Sequence, residues 1–212
     1  MTAPGMTAVS VDAVVLRGTS DGTQVLLHRR TTDPFRGDWA LPGVLLRSGE
    51  RITDAAVRAA GKAFAQPGDV SGAGQLIVFD EPNRDPRGPT LSIATWVTVN
   101  PTFEPADQAT AHWADWDQLP ALAFDHGRIL TDVRPILAGK LWTDLAFTRA
   151  LTGPVFGSRT ALKITESLTG AEVDRGNLNR EIKRVAERAE ESVRSSWTGR
   201  PSTVWRWPAE AE

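Results

Sequence analysis

Apolar and polar positions alternate with two different periods along this chain, and the change from one to the other divides it. Val9 to Leu16 is apolar and rich in β-branched residues, which predicts a buried strand. Gly18 to Gly22 reads as a turn, and Gln24 to Arg30 as the partner strand of a hairpin. A loop, TTDPFRGD, leads into Trp39, and a Pro-Gly turn and a short apolar strand follow. After the Ser48-Gly49 turn, Glu50 to Phe64 has no proline and is rich in Ala, Val, Arg and Lys, so a helix is expected there. Pro67 to Gly74 reads as a loop. Gln75–Phe79, Leu91–Val99 and Ala111–Trp116 read as strands, with a Pro/Arg-rich loop after the first. LAFDHGRILTDVRPILAGKL spaces Ile129, Val133, Ile136 and Leu137 helically, and Pro135 is expected to kink or restart the helix.

Beyond Trp142 the pattern becomes helical, with no β-rich run until the end of the chain. A short helix is expected over Asp144–Leu151, and a second from Ser158 as N-cap to Leu168. A third is capped by Asp174 and runs to about Arg188. On the third, Leu178, Ile182, Val185 and Ala189 form one stripe, with Arg180, Lys183 and Arg184 opposite. Val193–Trp197 and Thr203–Trp207 then read as a hairpin with Arg200 in its loop. Helix, helix, turn, helix, hairpin is the order of a winged helix-turn-helix.

Chemistry enters at Trp39 to Ala65, WALPGVLLRSGERITDAAVRAAGKAFA. The order W-A-L-P-G, then S-G-E, then an Arg eight residues after the Glu, resembles the signature of the Nudix family. Gly43, Glu50 and Arg58 match it. Val44 stands where the signature has Gly, and Ala59, Lys62 and Ala63 stand where it has helix carboxylates. Nudix hydrolysis uses divalent metal held by clustered carboxylates. Residues three and four apart share a helix face, so this pattern gathers its carboxylates at one point. Here the helix offers Glu50 and Asp54, then an ammonium in a ligand position, and a cation there repels Mg²⁺. The expectation is a Nudix-like pocket without catalytic residues and without bound metal or cofactor.

Composition narrows the classes. The chain has 212 residues, 41% hydrophobic and 24% charged, enough for one large or two small domains. No apolar run reaches about 18 residues and no basic-then-apolar leader opens the chain, so a cytoplasmic protein away from membranes is expected. The absence of cysteine excludes disulfides, thiolate zinc sites and cysteine nucleophiles. His28, His112 and His126 are too scattered to predict a metal cluster. Residues 1–140 carry 13 Lys+Arg and 16 Asp+Glu, whereas residues 158–206 carry 10 and 7, so the C-terminal part is mildly basic.

An exposed charged helix face is usually only solvated. Three features favour DNA here: a preceding helix and short turn, basic side chains opposite the core stripe, and a hairpin close behind. Asn177, Asn179 and Arg180 suit base edges, since Asn matches adenine and Arg matches guanine. Arg175, Lys183, Arg184 and Arg200 suit phosphates. Trp205 and Trp207 suit packing within the wing.

The two halves together resemble the Nudix-related transcriptional regulators of NAD metabolism, the NrtR type. The matching segments are PFRGDWALPG at 34–43, RDPRG at 84–88, LAFDH at 122–126, DRGNLNR at 174–180 and GRP at 199–201. The resemblance implies an α+β fold: a Nudix-like α/β/α sandwich with a mixed sheet over residues 8–140, then a winged helix-turn-helix over 141–208. It further implies a homodimeric repressor of NAD synthesis or salvage genes that binds a palindromic double-stranded operator. ADP-ribose or a related NAD metabolite would release it. Gly176 and Asn179 depart from the basic residues often found at those positions, and Val44 alters the turn beside the phosphates. Effector candidates by position are Arg29, Arg30, Arg47 and Arg87 for a pyrophosphate, Phe35 or Trp39 for an adenine, and His126 as pocket or cap residue. Two other readings stand beside this one. One is a working hydrolase with replacement carboxylates among Glu50, Asp54, Glu81 and Asp85, joined to a nucleic-acid module. The other is an inactive scaffold for RNA or protein.

Overall fold

Ala8–Thr19 (β1) organises the molecule. This computed structural model describes residues 6–62, 70–105, 107–189 and 203–209. Along β1 successive side chains face opposite ways. Val11, Ala13 and Val15 enter one apolar cluster and Val14 and Leu16 the other, and all five are fully buried. A strand covered on both faces is mostly apolar, as the sequence predicted, and Asp12 is the exception within this stretch.

Gly22–Arg29 (β2) folds back on β1 through the Ser20-Asp21 turn, with Thr19 opposite Gly22. Trp39–Ala40 (β3) pairs with the end of β2, and Gly43–Leu45 (β4) pairs with the first half of β1. Val70–Phe79 (β5) and Thr90–Val99 (β6) form an antiparallel pair, and β6 lies parallel to β1 from Ala8–Thr90 to Leu16–Thr98. Ala111–Asp115 (β7) pairs with β2. The sheet is therefore mixed, in the order β3-β2-β1-β6-β5, with β4 and β7 added beside β1 and β2. β5 begins at Val70, inside the stretch expected to be loop, because its pairing with Val99 overrides the local Ser-Gly-Ala-Gly composition.

Ile52–Gly61 (α1) covers one face. Gly49, at φ +74°, makes the turn before it, a conformation that suits glycine. Ala55, Ala56, Ala59 and Ala60 are fully buried against β1, β4 and β6, and their small side chains let the helix sit close to the sheet. The other face carries His126–Lys140 (α2), Leu145–Thr152 (α3) and Ser158–Thr169 (α4). Pro135 lies inside α2, and the helix continues past it. Val155–Gly157 (β8) is a strand that the helical pattern concealed. Its presence makes Gly157 the N-cap of α4, with Ser158 as the first helical residue. Ser158 Oγ instead accepts from Trp205 Nε1 at 2.7 Å.

Arg175–Val185 (α5) starts at Asp174, whose carboxylate accepts from the Asn177 N–H at 2.7 Å. It ends at Val185, short of Arg188: Ala186 turns extended, and Glu187–Arg188 (β9) pairs with Val204–Arg206 (β10). β10 also pairs with β8, giving the three-stranded order β8-β10-β9. Trp205 and Trp207 are buried, and Trp207 packs on Trp142 and Phe156. The expected strand Val193–Trp197, Ala63 and Arg200 lie outside the described residues.

Candidate functional site

A cleft of about 660 Å³ opens at the end of the sheet where β1, β2, β4, the C-terminus of α1, the loop after β5 and the start of α2 converge. Its floor is polar because β1 carries one carboxylate, Asp12, in an otherwise apolar run. Asp12 is 5% exposed. Its Oδ2 accepts from Ser92 Oγ at 2.5 Å, Ser10 Oγ at 3.3 Å and Arg84 Nη2 at 3.4 Å. The β1–β4 register sets Gly43 opposite Asp12, and a Cβ on Gly43 would lie 2.3 Å from Asp12 Oδ1. A larger residue there would have to displace the Asp12 carboxylate.

Arg84 spans the floor. Its guanidinium also donates to both oxygens of Asp125, at 2.9 and 2.6 Å, and its side chain is 4% exposed. Next along α2, His126 is buried. Its Nδ1 accepts from the Leu41 N–H at 2.9 Å, which leaves the proton on Nε2, 3.8 Å from Asp12 Oδ1. Burial pushes the His126 pKa down, so the ring is neutral at pH 7; His28, also in the wall, is lowered for the same reason.

The rim is cationic and aromatic. Arg30 lies over the Phe124 ring at 4.6 Å and Arg87 at 5.6 Å. Phe35 meets Phe124 edge-on at 4.8 Å. Phe35 and Phe124 both have positive φ, +63° and +55°, a conformation disfavoured for aromatic residues and concentrated at functional sites. Arg30 is braced by the Pro34 carbonyl at 2.7 Å and the Thr32 carbonyl at 3.2 Å, and its pKa is lowered by burial and by Arg87. Asp85 pairs with Arg87 at 2.6 Å. Burial would raise the Asp85 pKa, but the Arg87 hydrogen bonds pull it down. Fixed cations beside an aromatic ring suit an anionic ligand with a planar group.

Of the effector candidates, Arg29, Arg30, Arg87 and His126 line the cleft. Phe35 lies just outside, supporting Phe124. Trp39 packs on His112, with Arg29 over its ring at 5.7 Å. Arg47 is exposed elsewhere; its N–H donates to Glu50. Asp12, Arg84 and Phe124 were missed as site residues, and Asp85 was raised only as a replacement carboxylate. The lone carboxylate in β1 was the available signal for Asp12, and Arg84, Asp85 and Phe124 lie in segments already singled out.

The signature positions do not assemble a metal site. Arg58 holds both oxygens of Glu50 at 2.7 Å, which pulls the Glu50 pKa down to about 2. Ala59 is in the apolar core. Lys62 Nζ donates to the Gly43 carbonyl at 3.2 Å. The replacement carboxylates are dispersed: Asp54 is exposed and outside the cleft, Glu81 is bound by Arg128, and Asp85 by Arg87. Among the described residues no group of three or more His, Cys, Asp or Glu is arranged to hold a metal ion. The residues present therefore do not fit the divalent ion that the signature implies.

On α5, Leu178 and Ile182 are buried, while Arg175, Asn177, Arg180, Glu181, Lys183 and Arg184 are exposed. Arg180 Nη2 donates to Asn177 Oδ1. Asn179 is half-buried and faces Ser158 at the start of α4, at 3.4 Å. No helix among the described residues is long and apolar enough to cross a membrane.

A mixed sheet between helices, with a polar cleft beside a helix whose Arg58 pairs with Glu50 in the preceding turn, is the Nudix architecture. The chain belongs to the Nudix family: the NUDIX domain profile matches residues 6–133. The ADP-ribose pyrophosphatase of Methanocaldococcus jannaschii is 34% identical over 128 residues, 59% of this chain and 72% of that protein. Shewanella oneidensis NrtR, crystallised with a 27mer DNA, shares the fold over 94% of this chain and 93% of its own, with a TM-score of 0.74 at 21% identity. The NUDIX domain of the same protein in complex with ADP ribose is 26% identical, with a TM-score of 0.52, and covers 64% of this chain and 91% of that one.

Proposed function

We propose that this protein is a metabolite-responsive, DNA-binding transcriptional repressor of genes for NAD synthesis or salvage, with ADP-ribose or a related nucleotide as effector. The observation that carries the reading is a combination within one chain. A Nudix box holds an ammonium at Lys62 and a buried Ala59 where carboxylates belong, and α5 presents six exposed polar or charged residues, four of them cationic, opposite a buried stripe. The order α4, Gly170 turn, α5, β9, β10 supports a winged helix-turn-helix, with α5 in the major groove. Arg175, Lys183 and Arg184 contact phosphates, and Asn177 and Arg180 contact bases. The half-buried Asn179 contributes less than the sequence suggested. The effector occupies the cleft, with its diphosphate beside Arg30 and Arg87 and its planar base against Phe124. NrtR of Shewanella oneidensis, crystallised with a 27mer DNA, and its NUDIX domain, crystallised with ADP ribose, support this pairing of ligands. The protein acts as a homodimer on a palindrome, because a two-fold protein matches a two-fold operator.

Fluorescence anisotropy on the duplex upstream of the protein's own gene, with and without ADP-ribose, tests the reading. Specific binding that weakens as ADP-ribose is added is expected, and no preference over random duplex would overturn it.

The hydrolase reading is favoured by one finding, the 34% identity to a protein named ADP-ribose pyrophosphatase. It requires Mg²⁺-dependent turnover of ADP-ribose, and the repressor reading expects none.

A further inference from the structure

Lys62 follows the last residue of α1, one turn beyond Arg58, so its stem points back toward β4. Its ammonium reaches the Gly43 carbonyl at 3.2 Å, and this is its one hydrogen bond among the described residues. An ammonium has three donors, two of which no described residue takes, and Lys62 lines the cleft. The other cations there are more constrained. Arg84 is spent on Asp12 and Asp125, Arg87 shares Asp85, and Arg29 donates to the Gly37 carbonyl. Arg29, Arg30, Lys62, Arg84 and Arg87 line the cleft against Asp12, Asp85 and Asp107, an excess of two positive charges, and Lys62 supplies one of them. A diphosphate diester brings two negative charges.

We infer that Lys62 is the cleft's resident cation, a tethered ammonium that binds the ligand's diphosphate directly where a Nudix enzyme would use a divalent ion. The inference rests on the reading of the cleft as a diphosphate site. The Gly43 carbonyl anchors the ammonium as an oxygen ligand would anchor a metal, and the remaining donors point to the ligand. Affinity is then independent of Mg²⁺. The same substitution that disables hydrolysis leaves the diphosphate held but uncut, which is what a sensor needs.

Isothermal titration of the full chain tests this, with ADP-ribose and inorganic pyrophosphate as separate probes, each in EDTA and in Mg²⁺. The wild type is expected to bind with the same Kd in both. Lys62→Met is expected to bind about tenfold or more weakly at unchanged Tm, the loss of one charge-assisted hydrogen-bonding group. Lys62→Arg, which keeps the charge, should stay within about threefold of the wild type. Wild-type binding that depends on Mg²⁺, or a Lys62→Met variant that binds as tightly as the wild type, would overturn the inference while leaving the cleft reading intact. No binding of either probe by the wild type in either condition would overturn both.

Discussion

Arg84→Met tests whether the floor of the cleft is built on paired charges. Methionine keeps most of the apolar stem and removes a guanidinium that is 4% exposed. Asp125 loses hydrogen bonds of 2.9 and 2.6 Å and Asp12 loses one of 3.4 Å, so two carboxylates, 15% and 7% exposed, face each other without their cation. Removing one partner of a buried pair costs about 3–5 kcal/mol. For a chain of this size each kcal/mol lowers Tm by roughly 2–4 °C, so a fall of about 6–20 °C is expected. Differential scanning calorimetry reads it directly, and the eight tryptophans give a fluorescence check. The Arg36–Asp33 pair is the control. It is 3.5 Å long with both side chains mostly exposed, and Arg36→Met should cost less than about 1 kcal/mol. Adding Asp125→Asn to Arg84→Met should recover at least about 1 kcal/mol, because it removes a charge that the first change stranded. An Arg84→Met Tm within about 2 °C of the wild type, or strict additivity in the double variant, would refute the argument.

Gly43→Ala places a Cβ 2.3 Å from Asp12 Oδ1 and should cost about 1–3 kcal/mol and perturb ligand binding, whereas Gly61→Ala, with nothing within 4 Å, should be neutral or stabilising in urea titrations. The pKa of His126 is held down by burial, so below its unfolded value of 6.5 the unfolded chain takes up a proton that the folded chain resists; stability is full above pH 6.5 and falls as the solution is acidified. His126→Asn keeps an acceptor for the Leu41 N–H and removes that proton, so its stability should fall less steeply between pH 6.5 and 5 in urea titrations at each pH; identical slopes would assign the acid limb to other groups. If Arg175, Lys183 and Arg184 of both protomers all reach phosphates, the log–log salt slope of DNA affinity is about −5, and Lys183→Ala should reduce its magnitude by about 2 in anisotropy titrations; a slope near zero would remove α5 from the interface.

The sequence showed elements better than it showed the site. β1, β2, β6, α2 and the cap of α5 were legible because each rests on local signals: a β-branched run, a helical stripe, an aspartate three residues before an N–H it accepts from. β8 and β9 were not, because two- and three-residue strands carry no period and exist only through pairing with β10. The positions of the box could be read because they are fixed by spacing from Glu50 and Arg58, and these two side chains pair at 2.7 Å. The cleft was legible only in part. Arg30 and Arg87 suggested themselves as cations, but the polar floor depends on Asp12, Ser92 and Arg84, three elements that meet only through the parallel β1–β6 register and the loop after β5. Trp39, one of two aromatic candidates for an adenine, meets His112 on β7 edge-on at 4.2 Å, a contact that its neighbours in the chain do not announce.

The change of pattern at Trp142 marks a change of secondary structure, and the core continues through it. Phe147 and Leu151 on α3 and Ile164 and Leu168 on α4 belong to the same apolar cluster as Val14 and Leu16 on β1 and Val25 on β2. At Gly18 the fit is tight enough that a Cβ would lie 2.6 Å from the Leu151 carbonyl and 2.7 Å from Ile164 Cδ1. α4 is held from the sheet side as well. Its Ser167 carbonyl accepts from Arg134 Nε at 3.1 Å and Nη2 at 2.5 Å, and Ser167 Oγ donates to the Thr23 carbonyl at 3.2 Å. α2 thus has Asp125 and His126 at the cleft at one end and Arg134 on α4 further along, and α4 leads through Gly170 into α5. Close-packed elements of this kind shift as bodies and not by local yielding. The cleft and the base of α5 are thus joined by two packed helices and one turn.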